Sequence, residues 1–120
     1  MGRILIADDE PGIREFLKDA LAEDGHDVVV AGDGALAARL LDERRFDLVV
    51  TDLKMPGMSG QEVAAHVWTT RPELRVLFIS GYTDHTYSEA LTGPRSRFLE
   101  KPFASEALLQ HVAELLAGDS

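Results

Sequence analysis

The sequence predicts an α/β fold, a doubly wound five-stranded parallel sheet with helices on both faces. Three observations carry that prediction. Short apolar runs rich in branched residues, Ile4-Leu5-Ile6-Ala7, Leu48-Val49-Val50-Thr51 and Val76-Leu77-Phe78-Ile79, read as buried strands. Segments with apolar residues at helical spacing lie between them, and alternating strands and helices imply parallel pairing through crossovers. Each run is followed at once by polar chemistry: Asp8-Asp9, Asp52, Ser80 and, after the shorter Phe98-Leu99-Glu100, Lys101. In a parallel sheet these positions share one edge, where ligands bind.

The elements follow in order. The first strand feeds a helix from Pro11 to about Glu23, with Glu10 and Glu15 placing negative charge near its positive end and Gly25 stopping it. Ile13, Phe16, Leu17, Ala20 and Leu21 recur at helical spacing and are read as core. Asp27 to Ala31 is the second strand, after which Gly32-Asp33-Gly34 turns into a helix of about Ala35 to Arg44. Beyond the third strand, the loop from Leu53 to Gly60 is rich in proline and glycine. Ser59 caps a helix that runs to about Thr70, before Arg71-Pro72. The fourth strand ends at Ser80, and a shorter helix opens at Gly81-Tyr82-Thr83-Asp84 and runs towards Leu91, where Thr92-Gly93-Pro94 ends it. A brief last strand precedes an amphipathic helix from Ser105 to Ala117, with Ala107, Leu108, Val112, Leu115 and Leu116 on its apolar face. No repeat or low-complexity segment intervenes, so residues 1–120 are read as one domain.

The charge balance narrows the function. Twelve basic against 21 acidic residues give a net charge of -9, which repels phosphate backbones and anionic lipid, so direct nucleic-acid or membrane binding is not expected. With no cysteine, a disulfide framework and a thiolate metal site are excluded. No run approaches the ~18 consecutive apolar residues of a membrane span, and a cytoplasmic location is expected.

Asp8, Asp9 and Asp52 place three carboxylates at one edge, which repel each other unless a cation or protons intervene. Mg2+ suits oxygen ligands and is typically held by one or two carboxylates plus a phosphate. A carboxylate can also act as nucleophile in phosphoryl transfer, provided cations absorb charge on the transferring oxygens. Asp52, on the central strand opposite the Asp8-Asp9 pair, is best placed for that role. Ser80 and Lys101 supply a hydroxyl donor and a positive charge for phosphate oxygens.

From Ile4 to Leu116 these residues resemble the receiver domain of two-component response regulators. The matching elements are Asp8-Asp9, Asp52 followed by Met55-Pro56 and Gly60, Ser80, and Lys101-Pro102. The strand order expected with that resemblance is the flavodoxin-like 2-1-3-4-5. The resemblance implies that Asp52 is the phosphoacceptor, that Asp9 and Asp52 bind Mg2+ directly, that Asp8 acts through water, and that the Lys54 carbonyl completes the protein ligands. Ser80 and Lys101 would hold the phosphoryl group, and Lys54 and Tyr82 would tune its lifetime. Ser80 and Phe98 would form the switch, the hydroxyl moving toward the phosphate and the aromatic ring turning inward. The Lys101-Pro102 bond is expected to be cis. The donor would be a histidine kinase or histidine phosphotransfer protein. The output face would lie within residues 84–117, including His85, Tyr87, Arg95 and Arg97, and serve a downstream protein or output domain. The chain would be a monomer or a phosphorylation-dependent dimer.

Two rival functions use the same residues. A Mg2+-dependent phosphohydrolase with an aspartyl intermediate needs a substrate pocket or cap, which no insertion here is long enough to build. Asp52-Leu53-Lys54 also lacks the second aspartate of a haloacid-dehalogenase-like Asp-x-Asp motif. A phosphorylation-independent binding module would keep the fold without the chemistry, and the acidic site with Ser80 and Lys101 argues against it. Elsewhere the plainer readings prevail. His26, His66, His85 and His111 show no paired ligand spacing and are read as surface residues. Trp68 is read as packing, Gly32-Asp33-Gly34 as a turn and Glu10 as helix-terminus electrostatics, with metal contact by Glu10 a minor alternative.

Overall fold

The computed structural model describes residues 2–81 and 96–118. The expected helix towards Leu91 lies outside the described residues from Tyr82 onward, with His85 and Tyr87, and so does Arg95. Five strands, β1 (Arg3–Ala7), β2 (Asp27–Ala31), β3 (Leu48–Asp52), β4 (Arg75–Ser80) and β5 (Ser96–Glu100), form one parallel sheet in the order β2-β1-β3-β4-β5. The described helices are α1 (Pro11–Glu23), α2 (Gly34–Glu43), α3 (Gly60–Trp68) and α4 (Ser105–Leu116).

Both sheet faces are covered, which is why the central strands carry no polar alternation. Successive strand residues point to opposite faces. Leu5, Val49, Val76 and Phe78 pack with Ala37 and Leu41 of α2 and Val63 and Val67 of α3. Ile4, Ile6, Leu48, Val50, Leu77 and Ile79 pack with Leu17 and Leu21 of α1 and Leu108, Val112 and Leu115 of α4. The register is in step across the centre, with Ile4 opposite both Val28 and Leu48. The strand ends are thereby held level, and their polar followers meet.

Local chemistry sets the boundaries. Asp33 accepts a hydrogen bond from the Leu36 amide at 2.8 Å, so α2 starts at Gly34, one residue before the expected Ala35. In α3, Ser59 and Glu62 form a reciprocal capping box at the start. That helix ends at Trp68, short of Thr70, because the Thr69 and Thr70 hydroxyls take the His66 and Val67 carbonyls. Gly25, with φ of 94°, adopts the left-handed conformation that ends α1. β5 begins at Ser96, earlier than expected, because Ser96 and Arg97 continue the ladder opposite Val76 and Leu77.

Two sequence readings are corrected. Phe16 is 40% exposed rather than core and sits against the Phe103 ring at 5.9 Å, at the edge of the stripe that buries Leu17 and Leu21. His26 is not a surface residue: its imidazole is 7% exposed, accepts from the Gly2 amide at 3.2 Å and stands 3.3 Å from the Asp24 carboxylate. His111 is half-buried, with its Nδ1 out of solvent contact. His66 does bond at the surface, to Asp42 at 2.9 Å. Trp68 packs as expected, donating to the Leu74 carbonyl at 2.8 Å and meeting Phe78 edge-on at 6.5 Å.

Candidate functional site

The site forms at the carboxyl ends of β1, β3, β4 and β5. Asp52 is the last residue of β3, the central strand, and is 6% exposed. Asp8 follows β1 directly and is fully buried. Its Oδ1 accepts from the Glu10 amide at 2.9 Å, whereas its Oδ2 is buried without a hydrogen-bond partner. Arg14 donates to the Asp8 carbonyl at 2.8 Å and fixes the turn into α1. Ser80 ends β4, 6% exposed, and its carbonyl accepts the Lys101 amide at 2.8 Å. That bond brings the lysine beside β4, and its ammonium lies 3.7 Å from Asp52 Oδ2 and 3.4 Å from Glu10 Oε1. The Lys101-Pro102 peptide is cis.

A close backbone approach seats α3 against the acceptor. A Cβ on Gly60 would fall 2.2 Å from the Asp52 carbonyl oxygen, so only glycine permits the contact. The Gly60 amide bonds the Leu53 carbonyl at 2.9 Å, and the Leu53 amide bonds Ile79 at 3.1 Å. The loop after Asp52 is thus tied at both ends. Phe98 of β5 is half-buried and stacks on Phe78, ring centres 5.1 Å apart.

The electrostatics are those of a crowded acidic crevice. Burial, then the charge of Asp8, pushes the Asp52 carboxyl up to about 6. Burial likewise raises Asp8, despite its bond to the Glu10 amide and the nearby Lys101. Burial alone would lower the Lys101 ammonium, but Asp52, Asp8 and Glu10 together outweigh it and hold it above its ordinary value.

The expected residues converge with one difference. The carboxylates with oxygens all within 4.8 Å of one another are Asp8, Glu10 and Asp52, while Asp9 is exposed and outside that group. Glu10 sits at the α1 N-cap but makes no side-chain cap bond; its carboxylate faces Lys101. Helix-terminus electrostatics therefore understates it. Asp8 was visible from the strand end, but the direction of the following side chains is set by the turn, which no periodicity governs. An orphaned buried carboxylate oxygen among three clustered carboxylates is a donor set that fits a hard divalent cation such as Mg2+.

Sheet order and site together define an α/β switch domain suited to Mg2+-assisted formation of an aspartyl phosphate. Residues 4–113 match the family model of the response regulator receiver domain. The receiver protein CpdR of Brucella abortus is 35% identical over 117 residues, spanning 97% of this chain and 98% of that protein. FleR of Pseudomonas aeruginosa is 34% identical over 118 residues, of which this chain spans only a quarter of the length, 25%. Among solved structures, TrrA of Thermotoga maritima in complex with Mg2+-BeF superposes with a TM-score of 0.85 at 33% identity, covering 96% of this chain and 99% of that one. The chain belongs to the response regulator receiver domain family. Domains of this family act as phosphorylation switches that promote their own modification, rather than as enzymes turning over external substrates.

Proposed function

We propose that residues 1–120 work as a single receiver domain in two-component phosphorelay signalling, with Asp52 taking a phosphoryl group from a phosphohistidine donor. The observation that supports this best is the convergence of buried Asp52, the orphaned Asp8 oxygen and the Lys101 ammonium at one sheet edge. In the transfer, an Asp52 oxygen bonds to phosphorus as the bond to the donor imidazole breaks. Lys101 and the Ser80 hydroxyl stabilise charge on the transferred oxygens. Asp52 and Asp9 directly, Asp8 through water and the Lys54 carbonyl would hold Mg2+, which would supply further positive charge at the transferred oxygens, in keeping with the Mg2+-BeF complex of TrrA. Close to two negative charges then appear at Asp52 and draw Ser80 and Lys101 inward, while Phe98 follows into the vacated space.

The donor is a histidine kinase or histidine phosphotransfer protein. A downstream protein or output domain reads the face within 84–117, in the cytoplasm. Among the described residues no helix is long and apolar enough to cross a membrane. The test is intact-protein mass after incubation with a small phosphodonor and Mg2+, with Asp52→Ala and a chelator as controls. One phosphoryl adduct that needs both Mg2+ and Asp52 is expected. Folded protein that takes up no phosphoryl group from any donor would move the reading to a phosphorylation-independent binding module.

A further inference from the structure

At the N-cap of α1, Glu10 leaves its ordinary partners unused. A carboxylate at a helix N-terminus is stabilised by the free amides of the first turn. The Glu10 side chain makes no such bond. It reaches instead to Lys101, 91 residues further along the chain, with Oε1 3.4 Å from the ammonium. Only the backbone of Glu10 is tied into the turn, the amide donating to Asp8 Oδ1 at 2.9 Å and the carbonyl accepting from the Arg14 amide at 3.0 Å.

Lys101 is thereby shared between two carboxylates. Its ammonium lies 3.4 Å from Glu10 and 3.7 Å from Asp52, and at neither does it reach the about 2.7–2.9 Å of a charge-assisted hydrogen bond. Oxygens of Asp8, Glu10 and Asp52 all fall within 4.8 Å of one another, so Glu10 pulls on the ammonium at nearly the same range as the acceptor does. The two carboxylates differ in their surroundings. Asp52 is buried at a strand end, whereas the Glu10 side chain is 62% exposed. Glu10 is therefore the partner that can let go, at the small cost of breaking a solvated ion pair.

Taking Asp52 as the phosphoacceptor, we propose that Glu10 is a positioning residue that competes with the phosphoryl group for the Lys101 ammonium and so sets how tightly the site holds that group. In the unmodified chain the ammonium is divided between Glu10 and Asp52. Once the aspartyl phosphate carries close to two negative charges, the ammonium moves to it and Glu10 turns to solvent. Toward a cation Glu10 acts in the opposite sense. It adds a third carboxylate to the cluster and keeps the ammonium from closing on the Asp52 oxygens. Removing it should favour the anion and disfavour Mg2+, whereas loss of a merely structural residue would weaken both.

The test is a titration of the full chain with beryllofluoride at saturating Mg2+, in which beryllium adds to an Asp52 oxygen and the fluorides stand for the phosphoryl oxygens. Bound 19F signals give the affinity, the Lys101 Cε–Hε signals of 13C-labelled protein follow the ammonium, and calorimetry without beryllofluoride gives the affinity for Mg2+ alone. Glu10→Gln should bind beryllofluoride about three- to tenfold more tightly and Mg2+ alone about twofold or more weakly. It should also move the Lys101 signals of the ligand-free protein toward their beryllofluoride-bound positions. Glu10→Asp keeps the charge but is one methylene shorter and is a favoured helix cap, so it should release Lys101 and tighten beryllofluoride binding in the same direction. The backbone bonds of residue 10 persist in both variants, and amide spectra report the fold. Wild type that takes up no beryllofluoride would remove Asp52 as the acceptor and this role with it. With wild type binding, a Glu10→Gln variant that holds beryllofluoride no more tightly, or a Glu10→Asp variant that matches wild type as a plain charge effect requires, would overturn the role of Glu10 alone.

Discussion

Replacing Asp52 with asparagine should make the protein more stable, because the acceptor carboxylate is held charged at a cost. Its side chain is buried, and burial followed by the Asp8 charge raises its pKa from 3.8 to about 6. The native state therefore binds this proton more tightly than the unfolded chain. The contribution to stability is full below about pH 4 and is lost as pH rises through about 6. At about 1.4 kcal/mol per pH unit the loss approaches ~3 kcal/mol at pH 7.5. Asparagine keeps the shape without the charge. Since part of the shift is shared with Asp8, a gain of about 2–3 kcal/mol is expected at pH 7.5 in chelator, falling to about a third of that at pH 4.5. An unfolding entropy of roughly 0.25 kcal/mol/K for a chain of this size converts the full gain into about 8–12 °C in Tm. Thermal and urea melts by circular dichroism at both pH values make the measurement. An Asp52→Asn variant no more stable than wild type at pH 7.5, or a gain that ignores pH, would refute the account of a strained, desolvated acceptor.

Three further outcomes follow from named contacts. Asp8→Asn removes the carboxylate with the orphaned oxygen, so Mg2+ affinity should fall at least tenfold. Calorimetric titration reads the affinity, and the Mg2+-induced rise in Tm should shrink with it. Gly60→Ala forces a methyl into the Asp52 carbonyl and should cost about 2 kcal/mol or more in urea unfolding; a cost under about 0.5 would mean that α3 shifts freely. Leu17→Ala should cost about 2–5 kcal/mol and Phe16→Ala under about 1, because only the first empties a buried site; equal losses would put Phe16 back in the core.

The sheet and most of the site were legible because the signals there are local. Runs such as Leu48 to Thr51 are bounded sharply by Asp52, and a parallel sheet converts each such boundary into a place on one edge. Asp8, Asp52, Ser80 and Lys101 were found in this way. Glu10 was undervalued because its orientation depends on Lys101, 91 residues away, rather than on its own helix. Phe16 was misplaced because helical spacing defines a stripe but not its margin. His26 is buried through the Gly2 amide, 24 residues away, a contact that no spacing in the sequence announces. The ring contact between Phe78 and Phe98 likewise follows from the β4–β5 register, in which the two residues are directly opposed.

That ring contact gives the molecule a spectroscopic handle. The chain has one tryptophan, and Trp68 lies edge-on to Phe78, the ring on which Phe98 stacks. A change in the Phe98 side chain on phosphorylation would reach the indole through one intervening phenyl group, so its emission should report the switch without any attached label. Comparing the emission change in wild type with that in Phe98→Leu separates this path from direct effects at Asp52. If the change survives the loss of the ring, the indole is reading something other than Phe98.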